Sequence, residues 1–277
     1  MRKLADFAVR LVKATNEDNL ITHANELTYK LLLSFFPLVV FIMSLLSFLN
    51  LDVGGFVERV TIALPSYISD LISDFAGEMF ETRNAGVLSG SLIMTVFTAS
   101  SGFNALIKGL SKVYRQRETR NFLAARLISM GLVLLFAAVI ICSLLILIFG
   151  DAIYKALLKN NSQNAVIHFA FGLSGYLIVM AAMLFTVILI YKFAIGRQMS
   201  VYEAFPGAFV TLGIWVVSSK AFSVYINNFA RYSRVYGSIA GVVILMLWLN
   251  IISIVILVGG EINALIEFKP KSAESKS

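Results

Sequence analysis

Two acids and two bases stand where ionisable side chains are costly, at the ends of long apolar runs. Glu26 and Lys30 open one run, Lys108 closes another, and Glu261 closes a third. Charge at membrane depth marks a solute pathway, a proton relay or a paired network, because an isolated ion in hydrocarbon is expensive. Glu26 and Lys30 are one helical turn apart with the acid first, the favourable order for a pair on one helix. Hydroxyl and amide groups accompany these charges. Tyr29 lies beside the pair, and Thr95, Thr98, Ser101 and Asn104 recur every three or four residues before Lys108. Asn250 shares a helical face with Ser253 and Glu261, and Asn263 follows two residues later. Together these side chains form a candidate intramembrane network in which opposite charges neutralise one another. The competing reading is plainer. Each charge can snorkel separately to the interface, and a Ser/Thr stripe can simply pack helices together.

Residues for metal or nucleophilic chemistry are scarce. The chain has two histidines, His23 and His168, and one cysteine, Cys142, which lies in an apolar run. No intrachain disulfide can form, no catalytic residue stands out, and neither a cofactor nor a metal is implied. The expectation is a protein that is not an enzyme.

The elements that must position the network follow from composition. The chain is 58% hydrophobic and 14% charged, with mean hydropathy +0.84, so it is a polytopic membrane protein. Residues 1–22 read as a short amphipathic helix on the membrane surface, with Leu4, Phe7, Ala8, Leu11 and Val12 at helical spacing. Asp6, Arg10 and Lys13 interrupt the apolar core that a cleavable signal needs.

A first span covers 31–49 and extends inward through Glu26, with Glu26, Lys30, Ser34, Pro37 and Ser44 in one narrow sector. Residues 50–84 are rich in acid and place Ile68, Leu71, Ile72, Phe75 and Met79 at helical spacing after Pro65 and Ser66. They suggest an amphipathic helix on the outer surface. Further spans are expected at 86–107, 127–149, 165–191 and 205–225, the last opening at Phe205 with Pro206 in the first turn. The sixth, 238–260, carries no charge. At 1.5 Å per residue it extends roughly 34 Å, enough to cross the hydrocarbon.

The expected fold is therefore all-α: six transmembrane helices with additional amphipathic surface helices, in a single membrane domain spanning 1–277. Its subdivisions are a cytoplasmic amphipathic segment (1–22), an extracytoplasmic helical loop (50–84) and a cytoplasmic tail (267–277). Fifteen Lys and Arg fall in the segments on the side of the amino terminus and seven on the other. That bias puts both termini in the cytoplasm and explains the basic 108–126 loop, and with it the net charge of +7, without nucleic acid. Glu26, Lys30, Lys108 and Glu261 then lie at similar depth near the cytoplasmic face.

Several motifs stand in order along the chain: Ala24 to Tyr29, Ser34 to Pro37, Pro206-Gly207-Ala208, Tyr225, Tyr236-Gly237-Ser238, Leu247-Trp248-Leu249, and Gly259-Gly260-Glu261-Ile262-Asn263-Ala264. Over roughly residues 20–266 the chain resembles the YihY/BrkB family of bacterial inner-membrane proteins. The resemblance implies a six-helix integral membrane protein. Family members have carried a ribonuclease BN label or a serum-resistance label, and transport has been suggested.

Three functions compete. Polar stripes on spans one, two and six favour a transporter or channel for a solute or lipid. A lipid-handling or envelope-scaffolding protein without solute flux would instead use the surface helices and the 50–84 segment. A nuclease needs clustered acid or histidine ligands that this sequence lacks. The partners to expect are the bilayer and a bound phospholipid.

Overall fold

The computed structural model describes residues 2–48, 85–115, 121–157, 165–194, 199–228 and 238–267, and the regular structure within them is entirely α-helical. The helices are α1 (Arg2–Glu17), α2 (Leu20–Phe48), α3 (Ala85–Val113), α4 (Phe122–Leu157), α5 (Ala165–Ala194), α6 (Val201–Asn228) and α7 (Ser238–Glu267). The expected helix within 50–84 and the tail beyond Glu267 lie outside the described residues.

Five helices contain apolar stretches long enough to cross a bilayer: Leu20–Leu45, Ala85–Val113, Leu177–Ala194, Val201–Ile226 and Ala240–Glu267. Helix α4 has a shorter apolar stretch, Leu123–Val139, within a helix of 36 residues, and makes the sixth span.

Two element boundaries differ from the sequence expectation. The amphipathic segment does not run to residue 22. It ends at Glu17, where Asp18 and Asn19 make a corner, and α2 starts at Leu20. Asn19 has φ 51°, a left-handed conformation that Asn tolerates better than most residues. Helix α6 likewise starts at Val201, before Phe205, leaving Pro206 inside the helix. The reason is a capping box. The Glu203 side chain accepts from the Ser200 backbone N–H at 2.9 Å, and the Ser200 hydroxyl accepts from the Tyr202 N–H at 3.4 Å.

Helix α2 packs most extensively on α3, and α7 lies against both α2 and α6; α4 and α5 complete the bundle. The main core is concentrated where the end of α3, the start of α2 and the end of α7 converge: Leu20, Ala24, Ile107, Leu110, Tyr191 and Leu257 are almost completely buried there. Lipid tails are as apolar as leucine, so burying apolar surface between helices gains little inside a bilayer. Close approach and hydrogen bonding must supply the cohesion.

Glycines permit that approach. A Cβ on Gly259 would collide with the Thr211 hydroxyl and the Tyr191 hydroxyl, and one on Gly207 with the Gly259 carbonyl and the Asn263 amide.

Candidate functional site: a buried polar corner at the end of the bundle

Polar residues of α2 and α7 meet first. The Asn250 amide donates to Asn25 Oδ1 at 2.8 Å and to the Thr28 hydroxyl at 3.2 Å. Thr28 in turn donates to the Ala24 carbonyl at 2.7 Å and lies 3.2 Å from the Ser253 hydroxyl, which bonds the Leu249 carbonyl at 2.8 Å. Thr28 and Ser253 are buried. This seam uses the helical face that the spacing of Asn250, Ser253 and Glu261 defines.

Two turns beyond Ser253, Glu261 is 2% exposed, and its Oε2 has no hydrogen-bond partner. It lies within electrostatic reach of Asp18, from the corner between α1 and α2, and of Arg115, just past α3. Asp18 is also buried, with an unpartnered Oδ2, and is surrounded by Arg115, Lys112, Glu17 and His23. Burial pushes the Asp18 carboxyl above its ordinary value, against the pull of Arg115 and Lys112. Arg115 reaches Glu17 at 3.8 Å and adopts a left-handed φ of 52°, as Asn19 does in the facing turn.

The other charged residues form a second group; His23 adjoins it on one side and Asp18 on the other. Lys30 bonds Glu26 at 2.5 Å, both partly exposed, with Lys108 in electrostatic range of Glu26. Thus Glu26, Lys30 and Lys108 form one group, whereas Glu261 joins Asp18 and Arg115. Tyr29 is 57% exposed and faces outward. On α3, Thr95 is buried with its hydroxyl unpartnered, Thr98 bonds the Met94 carbonyl at 2.8 Å, and Ser101 and Asn104 are half-buried. Asn263 faces a third direction. Its Oδ1 accepts from the Gly207 N–H at 2.6 Å, and its Nδ2 donates to the Ala204 carbonyl at 3.1 Å.

Asp18, His23, Arg115 and Thr28 belong to these clusters although their spacing does not announce them. The Asp18-Asn19 pair is a turn signal that could have revealed the corner. The contact of Arg115 with it depends on how α3 packs. Among the described residues, no three His, Cys, Asp or Glu side chains gather as a set that could hold a metal ion.

The sequence profile of the family described as virulence factor BrkB matches residues 11–277. This chain belongs to the BrkB family. A ribonuclease-like protein of Bacillus subtilis, YfkH, is 32% identical to this BrkB-family chain over 250 residues, covering 89% of this chain and 90% of its own. A UPF0761 membrane protein of Haemophilus influenzae is 23% identical over 273 residues, covering 96% and 97%. One of Aeromonas salmonicida is 25% identical over 277 residues, covering 93% and 88%. No solved structure matches the chain.

Proposed function

We propose that this BrkB-family protein is a transporter or channel-like protein of the bacterial cytoplasmic membrane, passing an unidentified solute or lipid, with both termini in the cytoplasm. The observation that carries this reading is a polar seam between α2 and α7 that runs from the exposed Asn25–Asn250 bond to the buried Thr28 and Ser253. Asn25, Thr28, Asn250 and Ser253 bond across α2 and α7, and the same side of α7 leads to Glu261, whose buried carboxyl has an oxygen without a partner. Retaining a carboxyl in that state costs stability. A protein whose only task is to sit in the membrane gains nothing from it. The excess of Lys and Arg on one side supports the orientation.

Glu26, Lys30 and Lys108 form the more exposed entrance in this reading, the half-buried Asn250 lies on the seam, and Glu261 is the most buried charge. Thr95, Thr98, Ser101 and Asn104 line the neighbouring helix, and Asn263 fixes α7 against α6. The test compares Glu261→Gln and Lys108→Met with the parent chain in a deletion strain under envelope stress, and in proteoliposomes holding a pH-sensitive or a chloride-sensitive dye. Both variants are expected to insert normally and to lose the stress phenotype or the dye response. Normal activity in both would remove these residues from the mechanism. Phospholipid that copurifies stoichiometrically, without any flux, would favour a lipid-handling protein instead.

A further inference from the structure

Three polar atoms around the end of α3 lack a hydrogen-bond partner: Asp18 Oδ2, His23 Nδ1 and Glu261 Oε2. They come from the corner between α1 and α2, the first turn of α2 and the last turns of α7. Asp18 is 7% exposed and Glu261 2%. The two carboxyls lie within electrostatic reach of each other, and His23 within reach of Asp18. Backbone packing closes the surroundings. A Cβ on Gly109 would stand 2.9 Å from Leu257 and 3.3 Å from His23 Cβ, and one on Gly260 would overlap Leu110.

A buried carboxylate oxygen without a partner is costly, and two within mutual electrostatic range are costlier still. Some positively charged occupant is needed. The nearby cations answer only part of the need. Arg115 is 66% exposed at its side chain and pairs with Glu17, and neither Arg115 nor Lys112 hydrogen-bonds the unpartnered oxygens. A metal ion needs several converging ligands, and the described His, Cys, Asp and Glu residues do not supply three at one point. A proton needs one oxygen.

We propose that Asp18 and Glu261 form a proton-binding site, in which the pair holds one proton that exchanges with water at the end of the bundle, with His23 beside Asp18 as the group through which it passes. The charged and titratable groups that face this pair are Glu17 from α1, His23 from α2, and Lys112 and Arg115 from the end of α3, with Glu26 in electrostatic range of His23; the buried phenols of Tyr114 and Tyr191 belong to the same core. The proton is bound whether or not a solute crosses the membrane. The site therefore stands or falls separately from the transport reading.

Infrared difference spectroscopy of the full chain in lipid nanodiscs, titrated from acidic to alkaline buffer, tests this directly. The expected result is a protonated-carboxyl band that bleaches as the pH rises and is absent from the double variant D18N/E261Q. Either single variant should retain a band with its midpoint displaced by about one pH unit, a tenfold change in proton affinity, because the neighbouring charge is gone. Arg115→Met should displace the midpoint in the opposite direction, and since Arg115 is largely exposed this variant tests the site without disturbing the core. A band that persists in the double variant, the absence of any titrating carboxyl, or bleaching by sodium ions at constant pH would each overturn the proposal.

Discussion

Gly259 and Asn263 hold one side of α7, and Glu261 between them faces another. Residues two apart on a helix point about 200° from each other, so the same short segment serves two regions. On the α5 and α6 side the polar groups are matched. The Tyr191 hydroxyl donates to the Ile256 carbonyl and shares a hydrogen bond with Thr211, each at 2.7 Å, while both ends of the Asn263 amide are bonded to α6. On the α2 and α3 side, Asp18 and Glu261 are also buried yet retain unmatched oxygens. Buried polar groups in a membrane bundle can thus serve opposite ends. The satisfied set fastens helices; the unsatisfied set is retained at a cost in stability.

This contrast predicts opposite responses to mutation on the two sides. The largest effect belongs to Gly259→Ala, where the added methyl meets the Thr211 and Tyr191 hydroxyls. It should destabilise the protein by about 3 kcal/mol, read as loss of folded protein in a denaturant titration in detergent. Gly213→Ala, on α6 but with nothing near its Cβ, should be close to neutral. Equal losses at both sites would show that the glycine contact is not what fastens the helices.

Asn263→Leu comes next. It strips the Gly207 N–H and the Ala204 carbonyl of a partner, and a cost of about 1 to 3 kcal/mol is expected in the same titration.

Asp18→Asn should act in the opposite sense, with a smaller effect. Because burial pushes the folded-state carboxyl above its ordinary value of 3.8, the folded protein binds the proton more tightly than the unfolded chain does. The native acid therefore favours folding fully below that value, and the benefit is lost as pH rises through the folded-state value. The Asn variant should gain stability over the parent at neutral pH, and the gain should shrink on acidification. A loss of stability at neutral pH would place Asp18 among the fastening groups.

The smallest change is expected for Glu26→Gln. It breaks a partly exposed pair with Lys30 within one helix, worth a few tenths of a kcal/mol. A large loss there would mean that the outer charge group is structural after all.

Much of this molecule was legible before its structure. Long uncharged runs place the spans, because hydrocarbon accepts only backbone that satisfies its own hydrogen bonds. The period of Asn250, Ser253 and Glu261 correctly puts them on one face of α7. The capping box of Ser200 and Glu203 was also present in the sequence, and it outweighs Pro206 as the marker of where α6 begins. The partners of Glu261 were less accessible. Similar depth groups it with Glu26, Lys30 and Lys108, but depth fixes only one coordinate. Rotation about each helix axis fixes the other, and packing turns Glu261 toward Asp18 and Arg115.

The sequence by itself determined that this is an all-helical, six-span membrane protein of the BrkB family, since apolar length and ordered motifs are properties of the chain alone. Tertiary structure decided which polar groups are satisfied. Whether Asn263 finds the Gly207 backbone, or Glu261 keeps an oxygen bare beside Asp18, depends on helix rotation and on approach distances set by glycines far apart in the chain. One-dimensional periodicity cannot encode a contact whose partner is some 240 residues away.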